Sequence, residues 1–100
     1  MAVVDTPRSR FPGDALVAEG LASLAAGQVT VASLLVSIAS RRLRALGEQV
    51  PEPLADPERR LHHLLERDLG PAAHGRYNAL VRQVVSYCAA REQNARRLER

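Results

Sequence analysis

The sequence predicts a small all-α domain of about four helices. They are expected to form two helical hairpins joined by a proline-rich strap, in an orthogonal or bundle-like arrangement. Leucine and alanine supply most of the apolar residues, with 14 and 16 copies, while aromatic residues number only three. This composition suits helix packing better than a β-sandwich. Apolar residues also recur at helical spacing, and glycine or proline follows the apolar stretches.

The N-terminal region is expected to contain an arm and then the first helix. Residues 1–12 (MAVVDTPRSRFP) show no sustained period, which indicates a flexible N-terminal arm. Asp14 is a favourable N-cap, so the first helix is expected over residues 15–26, ending at Gly27. Gly20 lies at the edge of its apolar stripe. It indicates either close approach of another helix or a weak point costing about 1 kcal/mol relative to alanine.

The second helix is expected over residues 31–46, with Thr30 as its N-cap and Gly47 after its end. Seven of its first nine residues are apolar. Its apolar arc spans roughly 200°, whereas a helix buried on one side needs little more than about 100°. One neighbour in its own hairpin cannot cover that arc. The second hairpin could cover more of it, but four short helices rarely surround one of their own, so we expect another chain to cover the remaining strip. The residues of this expected partner interface are Ala32, Val36 and Leu43.

The second half of the chain predicts a strap and another hairpin. Three prolines within residues 51–57 favour an extended strap. Asp56 followed by Pro57 predicts the start of a third helix, which runs through Leu69. A fourth helix is expected to begin between residues 71 and 76. Its predicted apolar stripe comprises Tyr77, Leu80, Val81, Val84, Val85 and Cys88. We expect residues 13–90 to form a single helical domain, followed by a solvated or frayed helical tail over residues 91–100.

Charge and cysteine content restrict the partners and the compartment. The net charge is +3, and all 14 cations are arginine, which partly reflects the codon usage of a GC-rich genome. A small charge spread along the whole chain favours solubility more than phosphate binding. A single cysteine excludes an internal disulfide and a cysteine-based zinc site. Without a recognisable leader or a long apolar run, a cytoplasmic protein with no membrane partner is expected.

Nucleic-acid binding is the alternative function. The first two helices have about the length of a helix-turn-helix unit. The first turns of the second helix, however, hold four apolar residues, Val31, Ala32, Leu34 and Leu35. The two polar residues there, Thr30 and Ser33, read bases poorly. In this alternative, a dimeric DNA-binding regulator would contact phosphates through Arg41, Arg44, Arg76 and Arg82. The start of the fourth helix is also a candidate anion site, because helix N-termini attract anions. Its residues are Arg76, Asn78 and Arg82.

Arg42 and the histidines are the remaining candidates. Arg42 falls within the apolar arc of the second helix. Its side chain is expected either to extend past the edge of the core into solvent or to form a buried ion pair with a carboxylate, for which Glu19 and Asp68 are candidates. His62 and His63 lie four and three residues before Glu66, with His74 further along. That spacing permits metal ligation. A solvated helical face is the alternative, and it is the one we adopt.

No arrangement of nucleophile, base and orienting group is recognisable, so we expect no enzyme, no cofactor and no small-molecule substrate. The leading hypothesis is a small non-catalytic helical module for protein interaction or regulation. It would act as a homodimer, or as a subunit that binds a larger partner, for example in an inhibitor-like or antitoxin-like role.

Overall fold

The computed structural model describes residues 11–98, and this part of the chain folds into α-helices without β-strands. The all-α prediction is therefore confirmed. The helices are α1 (Asp14–Ala25), α2 (Val31–Ile38), α3 (Ser40–Ala45), α4 (Pro57–Leu69) and α5 (Ala73–Leu98), and a 3-10 turn, Gly70–Ala72, joins the last two. Most of the arm predicted over residues 1–12 lies outside the described residues.

The start of α1 depends on backbone conformation and not on a side-chain cap. Gly13 precedes the helix with φ of 80°, in the left-handed region that glycine adopts readily. Asp14, predicted as the N-cap, is instead the first helical residue, and no side chain caps the helix. At the other end, the amide of Gln28 donates to the carbonyl of Ser23, which closes the helix one residue earlier than predicted.

The predicted second helix is divided into α2 and α3 at Ala39. Its N-terminus is as expected, since Thr30 and Ser33 exchange hydrogen bonds in a capping box. Further along, the hydroxyl of Ser37 donates to the carbonyl of Ser33 at 2.9 Å and accepts from the amide of Leu54 at 2.9 Å. A serine bonded back to its own helix favours bending. Ser37 therefore accounts for the break two residues later and also fastens the strap to α2.

α2 lies at the centre of the fold and packs against α1, α4 and α5. Residues 32–37 are all buried. Gly20 makes this possible, because a Cβ at this position would overlap the carbonyl oxygen of Ala32 and the Cγ2 methyl of Val36. The interpretation of Gly20 as a site of close helix approach is confirmed.

The predicted partner strip is part of the core of the single chain. Ala32 is 3% exposed, and Val36 and Leu43 are 0% exposed. The expectation that another chain covers these three residues is therefore wrong. The physical reason is that α2 has three helical neighbours within the chain instead of one, and that Gly20 allows one of them to come unusually close.

α4 and α5 form the second hairpin. α4 begins and ends as predicted, and α5 begins within the predicted window but continues to Leu98. At 26 residues it is about 39 Å long. Of the two alternatives for the tail, a continuing helix and a frayed end, the structure has the helix as far as Leu98. The predicted stripe is largely buried or half-buried, except that Val85 is 46% exposed, whereas Tyr87, which was not predicted to be in it, is buried.

Candidate functional site

α4 presents two different surfaces on either side of its buried residues, Leu61 and Leu65. Helical periodicity places residues 60, 63, 64 and 67 on one side and residues 58, 62 and 66 on the other. The first side lines a groove with Val29, which lies just before α2, and the second lines a groove with the start of α5. Arg59 and His63 form the ridge between the grooves, since both residues line each of them.

The first groove, here called the basic groove, has a volume of about 260 Å³. It is lined by Val29, Leu34, Arg59, Arg60, His63, Leu64 and Arg67. Leu34 is fully buried, Leu64 is half-buried, and Val29 is 49% exposed. None of the described residues that line the groove is acidic. The basic groove thus combines accessible aliphatic surface with three guanidinium groups.

The arginines of the basic groove are only partly satisfied by the chain itself. Arg59 lies 3.4 Å from the Asp56 carboxylate, in a well-exposed pair. Arg60 donates to the carbonyl of Ala55 at 3.1 Å. Within residues 11–98, no carboxylate forms an ion pair with Arg60 or Arg67. Because a guanidinium group carries five N–H donors, most of these donors remain available to a ligand.

The second groove, here called the histidine groove, has a volume of about 480 Å³. It is lined by Glu58, Arg59, His62, His63, Glu66, His74 and Tyr77. The His62 ring centroid lies 6.0 Å from that of His74 and 5.5 Å from that of Tyr77. His62 Nδ1 is 3.6 Å from a Glu66 oxygen, which is an ion pair only when the imidazole is protonated.

The metal site permitted by the spacing of His62, His63 and Glu66 does not form a ligand set. In the part of the chain that the structure describes, no group of three or more histidine, cysteine, aspartate or glutamate side chains is arranged to hold a metal ion. His74, on α5, lies near His62 of α4 because the two helices form a hairpin. It also lies within 3.3 Å of the Asn78 amide.

The residues predicted to contact phosphate or another anion do not gather into one site. Arg44 donates to the carbonyls of Val50 and Pro51 at 2.9 and 3.2 Å, so it holds the strap. Arg76 and Arg82 are exposed on α5 but lie about 120° apart around its axis. The other two predicted residues, Arg41 and Asn78, are also exposed.

The first two helices do not have the geometry of a DNA-reading unit. A recognition helix presents side chains of its first turns to base edges in the major groove. In α2 those turns are buried against α1, α4 and α5. The helix-turn-helix arrangement considered from the sequence is therefore wrong for these helices. Phosphate binding by the exposed arginines stays a prediction.

Arg42 forms the ion pair expected of it, but with Glu92 of α5. Its Nε and Nη2 atoms donate to the two carboxylate oxygens at 3.0 and 2.7 Å. Neither of the two named partners, Glu19 and Asp68, is involved. The side chains are 42% and 36% exposed, so the pair is not buried. Accepting these hydrogen bonds lowers the pKa of Glu92, and making them raises the pKa of Arg42.

A second ion pair fastens the same part of α5. Arg91 donates to the Glu48 carboxylate at 2.7 Å and also to the hydroxyl of Tyr87. Burial raises the pKa of Tyr87, and the hydrogen bond from Arg91 opposes that shift. Burial likewise raises the pKa of the neighbouring Cys88 thiol. Arg91 thus belongs to the folded domain, although the sequence placed it in a solvated tail.

Comparison with protein-family models, with curated proteins and with solved structures finds no match to this chain. Among the helices of residues 11–98, none combines the length and the apolar character needed to cross a membrane.

Proposed function

We propose that this protein is a small non-enzymatic helical module that binds another protein through the basic groove of α4. The single observation that carries the proposal is the groove itself, in which exposed aliphatic surface lies beside Arg60 and Arg67, whose guanidinium groups pair with no carboxylate of residues 11–98. The homodimer expected from the sequence loses its support, because its interface residues, Ala32, Val36 and Leu43, are already covered by their own chain.

The chemistry of the basic groove matches that of protein interfaces. Arginine is enriched there, because its planar guanidinium group is weakly hydrated and makes several directed hydrogen bonds. Val29, about half exposed beside the arginines, supplies apolar surface that a partner would bury. At about 260 Å³, the groove is smaller than the roughly 300–1,000 Å³ typical of small-molecule pockets. Side chains of a partner protein suit it better.

Paired capture experiments test this function. The immobilised protein is exposed to nuclease-treated lysate of its source cell, beside a Val29→Asp variant and an Arg60→Glu/Arg67→Glu variant. The matched control is Arg41→Glu/Arg82→Glu, which changes the net charge equally at exposed positions outside the groove. We expect defined proteins to be retained by the wild type and the control and lost with both groove variants. Equal retention by all four proteins, or none by the wild type, would refute the proposal.

DNA binding, the competing function, is separated by salt. A complex held by phosphate contacts loses affinity steeply as salt concentration rises, while an apolar interface responds weakly. Duplex DNA that binds the wild type but not Arg41→Glu/Arg82→Glu, with a steep salt dependence, would favour the DNA-binding alternative over the one proposed.

A further inference from the structure

If the basic groove binds a protein, as proposed above, the geometry points to one kind of occupant: an acidic amphipathic helix of a partner protein. Such a helix would place aliphatic side chains against Val29 and Leu64. Its carboxylates would meet Arg60 and Arg67, and Arg59 would lie at the edge of the contact.

The spacing of the arginines supports a helical occupant. Arg60 and Arg67 lie seven residues apart on one side of α4, which corresponds to two turns and about 10.5 Å along the axis. The half-buried Leu64 lies between them. A helix alongside α4 that carries acidic residues seven positions apart, with aliphatic residues between them, repeats this pattern with opposite charge. Bidentate pairing between arginine and carboxylate then sets the register.

The charges of this chain argue against the protein filling its own groove. The segment before residue 11 contains Arg8 and Arg10 against one carboxylate, Asp5, so its charge has the same sign as the groove. A symmetric dimer through this face would place the same patch on both subunits. The arginines of one groove would then oppose those of the other.

Nucleic acid is also a poorer match than an acidic protein segment. Phosphates would satisfy the guanidinium groups, but a phosphate backbone offers little apolar surface to Val29 and Leu64. Burial of that aliphatic surface requires a partner with apolar side chains between its charges. The groove therefore favours alternating apolar and acidic residues over a uniform anion.

The test uses three synthetic helical peptides and the full-length protein. One peptide carries glutamate on both sides of a leucine stripe, the second replaces each glutamate with lysine, and the third replaces each leucine with serine. Binding is followed by fluorescence anisotropy and by chemical-shift changes in two-dimensional NMR spectra, with peptide concentrations up to about 1 mM. We expect only the first peptide to bind in the groove, with shifts at Val29 and Leu64.

The protein variants then identify the contacts. Arg60→Glu/Arg67→Glu removes two attractive pairs and introduces two repulsive ones, so affinity for the acidic peptide should fall roughly 30-fold. Arg41→Glu/Arg82→Glu should retain affinity within about twofold. Val29→Asp, at an exposed position, should also weaken binding. Thermal unfolding of each variant establishes that it is folded.

The outcomes separate the inference from the proposed function. No shift with the acidic peptide, equal binding of the serine peptide, or a smaller loss with the groove variant than with the control would overturn the acidic helix. So would duplex DNA that competes for the same residues. If the lysine peptide binds as well as the glutamate peptide and Val29→Asp abolishes both, the acidic partner is refuted while a protein-binding groove remains.

Discussion

Replacing Gly20 with alanine tests the contact that buries α2, because Gly20 lies where α1 meets that helix. The added Cβ would lie 2.9 Å from the carbonyl carbon of Ala32, and closer still to its oxygen and to a methyl of Val36. Ordinary contacts of a Cβ begin at 3.4 Å. The Ala32 carbonyl belongs to the backbone of α2 and cannot rotate away as a flexible side chain would, so α1 and α2 must move apart.

The expected change in the free energy of unfolding is the sum of two opposing effects. Overpacking a well-packed interior typically costs about 1–3 kcal/mol, and a clash with backbone belongs at the upper end of that range. Alanine recovers about 1 kcal/mol through its better helix propensity. The free energy of unfolding of Gly20→Ala should therefore fall by about 2 kcal/mol. For a domain of this size, that loss lowers the melting temperature by about 8–16 °C.

Gly75 supplies the matched control. It also lies inside a helix, α5, but a Cβ there would meet nothing within 4 Å. Gly75→Ala should therefore raise the free energy of unfolding by about 0.5–1 kcal/mol. Urea denaturation followed by far-ultraviolet circular dichroism measures both variants against the wild type. The same substitution should thus change stability in opposite directions at the two positions.

A Gly20→Ala variant as stable as the wild type, measured beside a stabilised Gly75→Ala variant, would refute the close approach of α1 and α2. The burial of Val36 would then have to come from residues other than those around Gly20, and a second chain would again be a candidate.

Three other predictions concern the core, the ion pair and the thiol. Leu43→Ala should lower the free energy of unfolding by about 2–5 kcal/mol, while Val85→Ala should change it by no more than about 0.5 kcal/mol; equal losses in urea denaturation would contradict the burial pattern. Because Arg42 lowers the pKa of Glu92, the pair contributes fully to stability above the ordinary glutamate pKa of about 4.3, and this contribution is lost as pH falls through the lowered value. Glu92→Gln should therefore destabilise the protein near pH 7 more than near pH 3. Urea denaturation at both pH values measures this, and a variant whose midpoint differs from the wild type by the same amount at both would contradict a contribution from the ion pair. Cys88 is fully buried, so a thiol-specific disulfide reagent should label it only as the protein unfolds; rapid labelling of the native protein would place the thiol at the surface.

Local signals in the sequence predicted the helices well where those signals determine the helix ends. Pro57 at the first helical position and the Gly-Pro pair after Leu69 gave the bounds of α4 correctly. The break at Ala39 was not predicted, because a serine inside an apolar stretch does not by itself show that its hydroxyl will bond back to the helix, as Ser37 does to Ser33. The partner of Arg42 was missed because Glu92 lies 50 residues away along the chain.

The basic groove was missed because the charges of α4 cancel in its sequence. Its three arginines, at positions 59, 60 and 67, accompany three carboxylates, at positions 58, 66 and 68. Summed along the helix, they show no basic character. Only their positions around the helix axis separate Arg60 and Arg67 from Glu58 and Glu66, and only the fold brings Val29 beside them. The spacing of residues 60, 64 and 67 was the one local signal that could have revealed this face.

The burial of the wide apolar arc of α2 and the exposure of most of α4 are two consequences of the same packing. A chain of 100 residues has few helices, and each one that packs against α2 covers it with only one of its own sides. α4 contributes Leu61 and Leu65 to the core, so its remaining sides face outward and carry the charged residues. Enclosing α2 within one chain thus removes the interface expected there. The outer sides of the enclosing helices remain exposed, and in the basic groove of α4 aliphatic surface lies beside the guanidinium groups of Arg60 and Arg67.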